Sequence, residues 1–259
     1  MKIQSRILTL AFLARVMVFI VASRGFFLIG EGRVEADLAC NLLEGNGFML
    51  SGEMLHPPEE VEGNEQFRET MTFYRSVDGY YGVLRPDRPT LFLVPGYAFF
   101  MAGIFALFGL KNYLAVRGIQ LLLGLLTVWI GFRIARKFLS GRYLTLAGIF
   151  MALDPFELYY EAIPATQALF SLLFLCGILI SIKLITTQGN MKSRILLSVS
   201  AGMVWGIAFL VRPAALPFIV WLAVRLPFIP FIRRFTLVGK ASAKGKAVSF
   251  RWLVPSAVL

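Results

Sequence analysis

Apolar residues in this chain come in blocks of about twenty, separated by short segments that hold most of the charge. A helical crossing of a hydrocarbon core about 30 Å thick takes about 20 predominantly apolar residues. On that measure the pattern predicts spans at 7–29, 113–132, 143–160, 163–186, 195–211 and 214–232. A further apolar segment, 90–110, is opened by Pro95-Gly96 and predicts a re-entrant or partly inserted helix. A full crossing there is the alternative. It places Arg133 to Arg142 outside unless 143–153 fails to span, and eleven apolar residues before Asp154 is a short run. The segment after Glu31 has a different period: Leu38, Ala39, Leu42 and Leu43 form a stripe at helical spacing that Gly45 ends. That predicts a short amphipathic helix lying at the membrane surface. Gly202 and Gly206 form a GxxxG pair in an apolar helix, which predicts close helix packing there.

Composition agrees with lipid as the solvent: 58% of the 259 residues are hydrophobic and 16% charged, and the mean hydropathy is +0.72. The first apolar block is too long for a signal h-region and lacks a small-residue cleavage site, so it reads as a retained span. The net charge of +11 does not indicate nucleic acid, because the basic residues cluster between spans as the positive-inside rule requires. Charge also sets the topology. All 15 acidic residues fall in two windows, twelve between Glu31 and Asp87 and the others at Asp154, Glu157 and Glu161. With the basic clusters at 2–6, 133–142, 183–194 and 233–251 in the cytoplasm, both acidic windows lie outside and the N-terminus inside.

The expected fold is therefore all-α: a polytopic transmembrane helical bundle whose extracytoplasmic first loop, 30–90, carries juxtamembrane helices. Residues 1–232 form the transmembrane module. Residues 233–259 read as a basic cytoplasmic loop and the start of a further span, as in a piece of a longer protein. Cys40 and Cys176 sit in different kinds of segment and imply neither a disulfide nor a metal framework.

Candidate chemistry is confined to a few polar positions. Glu31, Glu35 and Asp37 open the outer loop, the last two as an acid-x-acid pair. Carboxylates there either solvate the helix or act as a general base at the water boundary. Asp154 closes the third span at its outer margin, where an ionisable group lines a cavity or simply reaches water. Arg212-Pro213 places a cation at the outer end of a span, against the positive-inside trend, and calls for an anionic partner, either a phosphate head group or one of the outer carboxylates. Arg24 and the deeper Arg15 lie on the first span, and snorkelling explains Arg24 as well as function does. His56, the single histidine, is expected to be exposed and inert, which argues against a hydrolytic triad. No Walker loop, dinucleotide fingerprint or His/Cys ligand cluster is present. A carboxylate pair can hold a divalent cation, an optional cofactor that no other ligand supports.

An ordered set of motifs follows the same chain. Acids after the first span precede Leu38-Ala39-Cys40-Asn41-Leu42-Leu43-Glu44-Gly45-Asn46-Gly47-Phe48. Arg88-Pro89 and Pro95-Gly96-Tyr97 open a helix closing on Leu107-Phe108-Gly109. Val116-Arg117-Gly118-Ile119-Gln120 begins a span that ends at Arg136-Lys137. Asp154-Pro155, Thr166-Gln167-Ala168-Leu169-Phe170 and Leu210-Val211-Arg212-Pro213 complete the set. Over roughly residues 5–225 this resembles the GT-C glycosyltransferases that use dolichyl- or polyprenyl-phosphate sugars, the protein O-mannosyltransferase and aminoarabinose transferase relatives. The resemblance implies transfer of a sugar from a polyprenyl-phosphate donor to an acceptor hydroxyl on a lipid, glycan or protein, outside the cytoplasm, in a prokaryotic plasma membrane. It also implies roles: Glu31 or the Glu35/Asp37 pair as base, Arg212 on the lipid phosphate, and Asp154, Arg88, Tyr97 and Gln167 in substrate binding. Two positions depart from the family pattern. Relatives carry Asp where Glu31 falls, and many carry an acid where Gln167 stands. A truncated paralogue that binds lipid-linked saccharide or a partner without turnover is the alternative reading, and a secondary transporter ranks below both, because the acids are expected at the outer margin and not at mid-depth.

Overall fold

The computed structural model describes residues 2–22, 31–50, 94–186 and 191–225, with the side chains of Lys2, Glu31, Arg33 and Arg225 left aside. In these stretches every regular element is helical. They are α1 (Lys2–Ala22), α2 (Glu31–Leu43), α3 (Gly96–Phe108), α4 (Tyr113–Ala135), α5 (Gly141–Ala152), α6 (Pro155–Ala162), α7 (Thr166–Thr186) and α8 (Met191–Val211). A 3₁₀ turn, Pro213–Ala215, follows α8. The chain from Leu216 belongs to a second unit, whose described part is the apolar helix α9 (Leu216–Arg225). Arg24, His56, Arg88, most of the acidic loop and the basic segment 233–259 lie outside the described residues.

Among the described residues four helices are long and apolar enough to cross a bilayer: α1 from Ile3, α4, α7 and α8. Large apolar side chains such as Leu13, Met17, Leu122, Phe150 and Met203 point outward, as a bundle solvated by hydrocarbon requires. The all-α polytopic bundle expected from the sequence is the architecture observed.

Local chemistry sets the breaks. The helix expected within 90–110 starts at Gly96 and stops at Gly109, whose φ of +99° lets its N–H reach the Phe105 carbonyl at 2.9 Å. At 13 residues it rises about 20 Å, too short for a full crossing. Asn112 caps α4 by accepting from the Ala115 N–H at 3.1 Å. The segment expected as one span at 143–160 is instead two helices. α5 ends at Ala152, Asp154 turns the chain by accepting the Phe156 N–H at 3.0 Å, and Pro155 takes the first position of α6. At 12 and 8 residues, neither helix is long enough to cross by itself.

Among the described residues two cores knit the helices together. Ile7, Ala11, Val128, Phe132 and Ala152 join α1, α4 and α5. Ala36, Ala39, Cys40, Tyr97, Met101, Phe105 and Val116 join α2, α3 and α4. The close packing expected at Gly202 and Gly206 is not there: among the described residues nothing stands within 4 Å of a Cβ on either. The intimate contact between α7 and α8 is made by Gly177, where a Cβ would sit 2.6 Å from the Trp205 ring. That indole also donates to Ser181 Oγ at 3.3 Å. A GxxxG spacing in one helix does not say which face meets the neighbour.

Candidate functional site

Two segments pack directly on α2, and a third, the end of α8, is reached through α3. Gly32 lies so close to the chain between α6 and α7 that a Cβ would strike the Pro164 carbonyl oxygen. On the other side α2 packs along α3 through the core around Ala36, Ala39 and Tyr97. α3 in turn sits with its backbone on the end of α8. A Cβ on Gly96 would lie 2.6 Å from the Leu210 carbonyl and 2.7 Å from the Val211 nitrogen. Arg212 is the next residue. Glycine at 32 and 96 is what permits these backbone approaches.

Within this cluster Glu35 is 5% exposed and Tyr97 fully buried, the phenol near enough to feel the Glu35 charge. Gln120, also fully buried, donates from Nε2 to the Ala165 carbonyl at 3.0 Å. Its Oε1 has no hydrogen-bond partner among the described residues. Thr166 Oγ1 donates to Gln167 Oε1 at 3.5 Å, which sets Gln167 on the first turn of α7 beside the same turn.

The two carboxylates of the acid-x-acid pair diverge. Two residues along a helix are separated by about 200°, so Glu35 turns inward while Asp37 stays half-exposed. Asp37 and Glu44 lie near Cys40, whose thiol is pushed up mainly by burial; Lys111 opposes the shift and the two acids add to it. Glu31 opens α2 one turn before Glu35; its side chain, like Arg88, lies outside the described residues. Among the described residues no three of His, Cys, Asp and Glu are grouped as metal ligands, and Glu35 and Asp37 point to different sides of α2. Arg212 is half-buried and stands where α8 ends, its N–H on the Ala208 carbonyl at 2.9 Å. Among the described residues no carboxylate forms a salt bridge with it.

Asp154 belongs to a different place. With Arg15, Thr127, Met151, Glu157 and Phe174 it lines a cavity of about 310 Å³ between α1, α4 and the α5–α7 segment. Ser171 Oγ donates to Glu157 Oε1 at 2.6 Å. Beside the cavity Arg15, 3% exposed, grips Glu161, 5% exposed, with Nη2 on Oε1 at 2.8 Å and Nε facing Oε2 at 2.7 Å. The carboxylate rests in the notch left by Gly124, where a Cβ would collide with it.

The Glu161 carboxylate thus packs against the middle of α4. Gly124 is the midpoint of α4, about 17 Å from either end at 1.5 Å per residue. Arg15 lies about 20 Å along α1 and Ala152 about 17 Å along α5, both counted from the basic ends. The Arg15–Glu161 pair was invisible to sequence reasoning because 146 residues separate its partners. The available signal was a lone cation inside an apolar span together with an acidic window lacking its own cation. Arg117 was likewise passed over as a motif letter. It is buried, donates from Nη2 to the Phe19 carbonyl at 3.4 Å and lies 5.3 Å from the Phe19 ring centroid. It thus places a cation at the negative end of α1.

A sequence model of the dolichyl-phosphate-mannose-protein mannosyltransferase family matches residues 87–255, more than half of the chain. No curated protein and no solved structure matches it.

Proposed function

The chain belongs to the dolichyl-phosphate-mannose-protein mannosyltransferase family and is an integral membrane glycosyltransferase of the GT-C type; on that premise we propose that it transfers a hexosyl or pentosyl group from a polyprenyl-phosphate donor to an acceptor hydroxyl at the extracytoplasmic surface. The observation that carries this reading is the convergence of α2, the Pro164–Gln167 turn and the end of α8. It is secured by the backbone contacts at Gly32 and Gly96. A candidate base and a cation without an acid partner among the described residues thereby share one end of the bundle.

In this mechanism the acceptor oxygen attacks the anomeric carbon while the bond from that carbon to the phosphate oxygen breaks. The acceptor proton passes to a carboxylate of α2. Glu35 is the favoured base because it faces the cluster, with Glu31 one turn earlier as the second candidate and Asp37 the least suited. Such a base contributes about 10²–10⁴-fold. The departing polyprenyl phosphate carries the negative charge away and is held by Arg212, with Arg88 as a second cation and Tyr97 and Gln167 shaping the sugar pocket. Asp154 lines the separate cavity beside Arg15, and any contact it makes with substrate hydroxyls there is distinct from this transfer step.

Gln167 supports a second reading. An amide on the first turn of α7 cannot take up a proton, as suits a chain that binds lipid-linked saccharide without turnover. Membranes containing the full chain, supplied with radiolabelled polyprenyl-phosphate sugar, separate the two. The transferase reading expects label transfer that Glu35→Gln abolishes and Asp37→Asn largely spares, with insertion unchanged. Undiminished transfer in the amide variants of Glu31, Glu35 and Asp37 overturns the base assignment. Absence of transfer with Arg212-dependent binding of the donor establishes the binding reading.

A further inference from the structure

We propose that Arg15 and Glu161 are positioning residues that set the Pro164–Gln167 turn against α2, acting from beside the middle of α4 on the transfer site at the end of the bundle; the consequence for substrate rests on the reading given above.

The geometry is that of a clamp on a broken helix. Arg15 donates from Nη1 to the Ala152 carbonyl at 3.2 Å, one of the carbonyls left without an intrahelical partner where α5 stops. The same group donates to the Ala11 carbonyl of its own helix at 3.3 Å. Its remaining edge holds the Glu161 carboxylate in the last turn of α6. One guanidinium therefore ties the end of α5 and the end of α6 to α1, and Gly124 supplies the recess in α4 that receives the carboxylate. A helix of eight residues does not hold its own shape or place. Three residues beyond Glu161 lies Pro164, whose carbonyl faces Gly32; Ala165 follows, whose carbonyl accepts from Gln120. Any rotation or slide of α6 moves this turn, and with it the bed on which α2 rests.

Stability alone is a poor reason for the pair. An apolar pair of matched volume is commonly as stable as a buried ion pair or more so, because both charges must be desolvated. An apolar pair has no direction, whereas this one fixes α6 in register through hydrogen bonds from one guanidinium to two helix ends.

The test uses the purified full chain. Its readouts are the thermal midpoint, backbone hydrogen exchange at Ile163 and Ala165–Gln167, and affinity for undecaprenyl phosphate. The double variant Arg15→Met/Glu161→Leu is expected to keep the wild-type midpoint, exchange faster at the turn and bind the lipid phosphate about tenfold to a hundredfold more weakly. Arg15→Lys keeps the charge but cannot span both Glu161 and Ala152. It is expected to loosen the same amides and thus supplies the test should the double variant not fold. Wild-type exchange and binding in either variant at an unchanged midpoint overturns the proposal. Faster exchange with unchanged binding overturns its functional half. Arg212→Ala, read in parallel, isolates the premise: undiminished lipid-phosphate binding there refutes the transfer-site reading, while exchange at the turn still reports on the clamp.

Discussion

Gly96→Ala places one methyl group where α3 meets α8. The added Cβ would lie 2.6 Å from the carbonyl carbon and oxygen of Leu210 and 2.7 Å from the Val211 nitrogen. All three are backbone atoms, so no side chain can swing aside. Restoring an ordinary carbon contact of 3.5–4.0 Å moves α3 away from α8 by about 1 Å. Overpacking of this kind costs about 1–3 kcal/mol. At about 2–4 °C per kcal/mol for a chain of this size, the thermal midpoint falls by about 2–12 °C. The same displacement carries Tyr97 from the Glu35 side of the cluster and separates α2 from Arg212, so lipid-phosphate affinity falls with stability. Gly103→Ala is the internal control. It lies on the same helix with nothing within 4 Å of its Cβ, and the better helix propensity of alanine makes it neutral or stabilising by up to about 1 kcal/mol. Thermal unfolding of both variants in one detergent, with undecaprenyl phosphate titrated in each, decides the matter. Equal midpoints for the two alanine variants refute the claim that α3 is seated on α8 through Gly96.

Further outcomes follow from the same contacts. Gly177→Ala drives a Cβ into the Trp205 ring and lowers the midpoint by about 1–3 kcal/mol equivalent, whereas Gly202→Ala and Gly206→Ala leave it unchanged or higher; thermal scans that rank the three the other way contradict the α7–α8 packing. Glu161→Ala leaves Arg15 buried without its carboxylate and costs about 3–5 kcal/mol, a loss that adding Arg15→Met largely restores; chemical or thermal unfolding of the single and double variants measures it. The Cys40 thiol, raised by burial, holds less thiolate at neutral pH than an ordinary cysteine. Maleimide labelling of Cys40 in a Cys176→Ala background is therefore slow, and climbs only at pH values above those that suffice for a free thiol; labelling as fast as a free thiol at pH 7 contradicts the packing of α2 on α3.

Much of this architecture was legible in residue order, and the reasons differ from element to element. The spans follow from apolar run length, and α3 from the Pro95-Gly96 start and the Gly109 stop, because those signals are local. The break at Asp154-Pro155 is also a local capping signal, yet it was overridden by the apolar residues on both sides, which favoured one continuous span. The divergence of Glu35 from Asp37 was available from helical periodicity alone once α2 was recognised as a helix. By contrast, Arg15 with Glu161, Gly124 beneath the carboxylate, and Gly96 against Leu210 are long-range facts. A cation inside a span indicates that a partner exists, but only the packing of α1, α4 and α6 says which acid it is.

The central claim is that the acids of α2 and Arg212 form one transfer site outside the cytoplasm. It is tested most directly in right-side-out vesicles carrying the full chain, with radiolabelled polyprenyl-phosphate sugar in the outer leaflet and an acceptor mixture outside. The account predicts label leaving the lipid carrier with the wild-type chain, at a rate lowered about 10²-fold or more by Glu35→Gln or by Arg212→Ala. Turnover that is equally fast with both substitutions, or that requires donor on the cytoplasmic side, contradicts it.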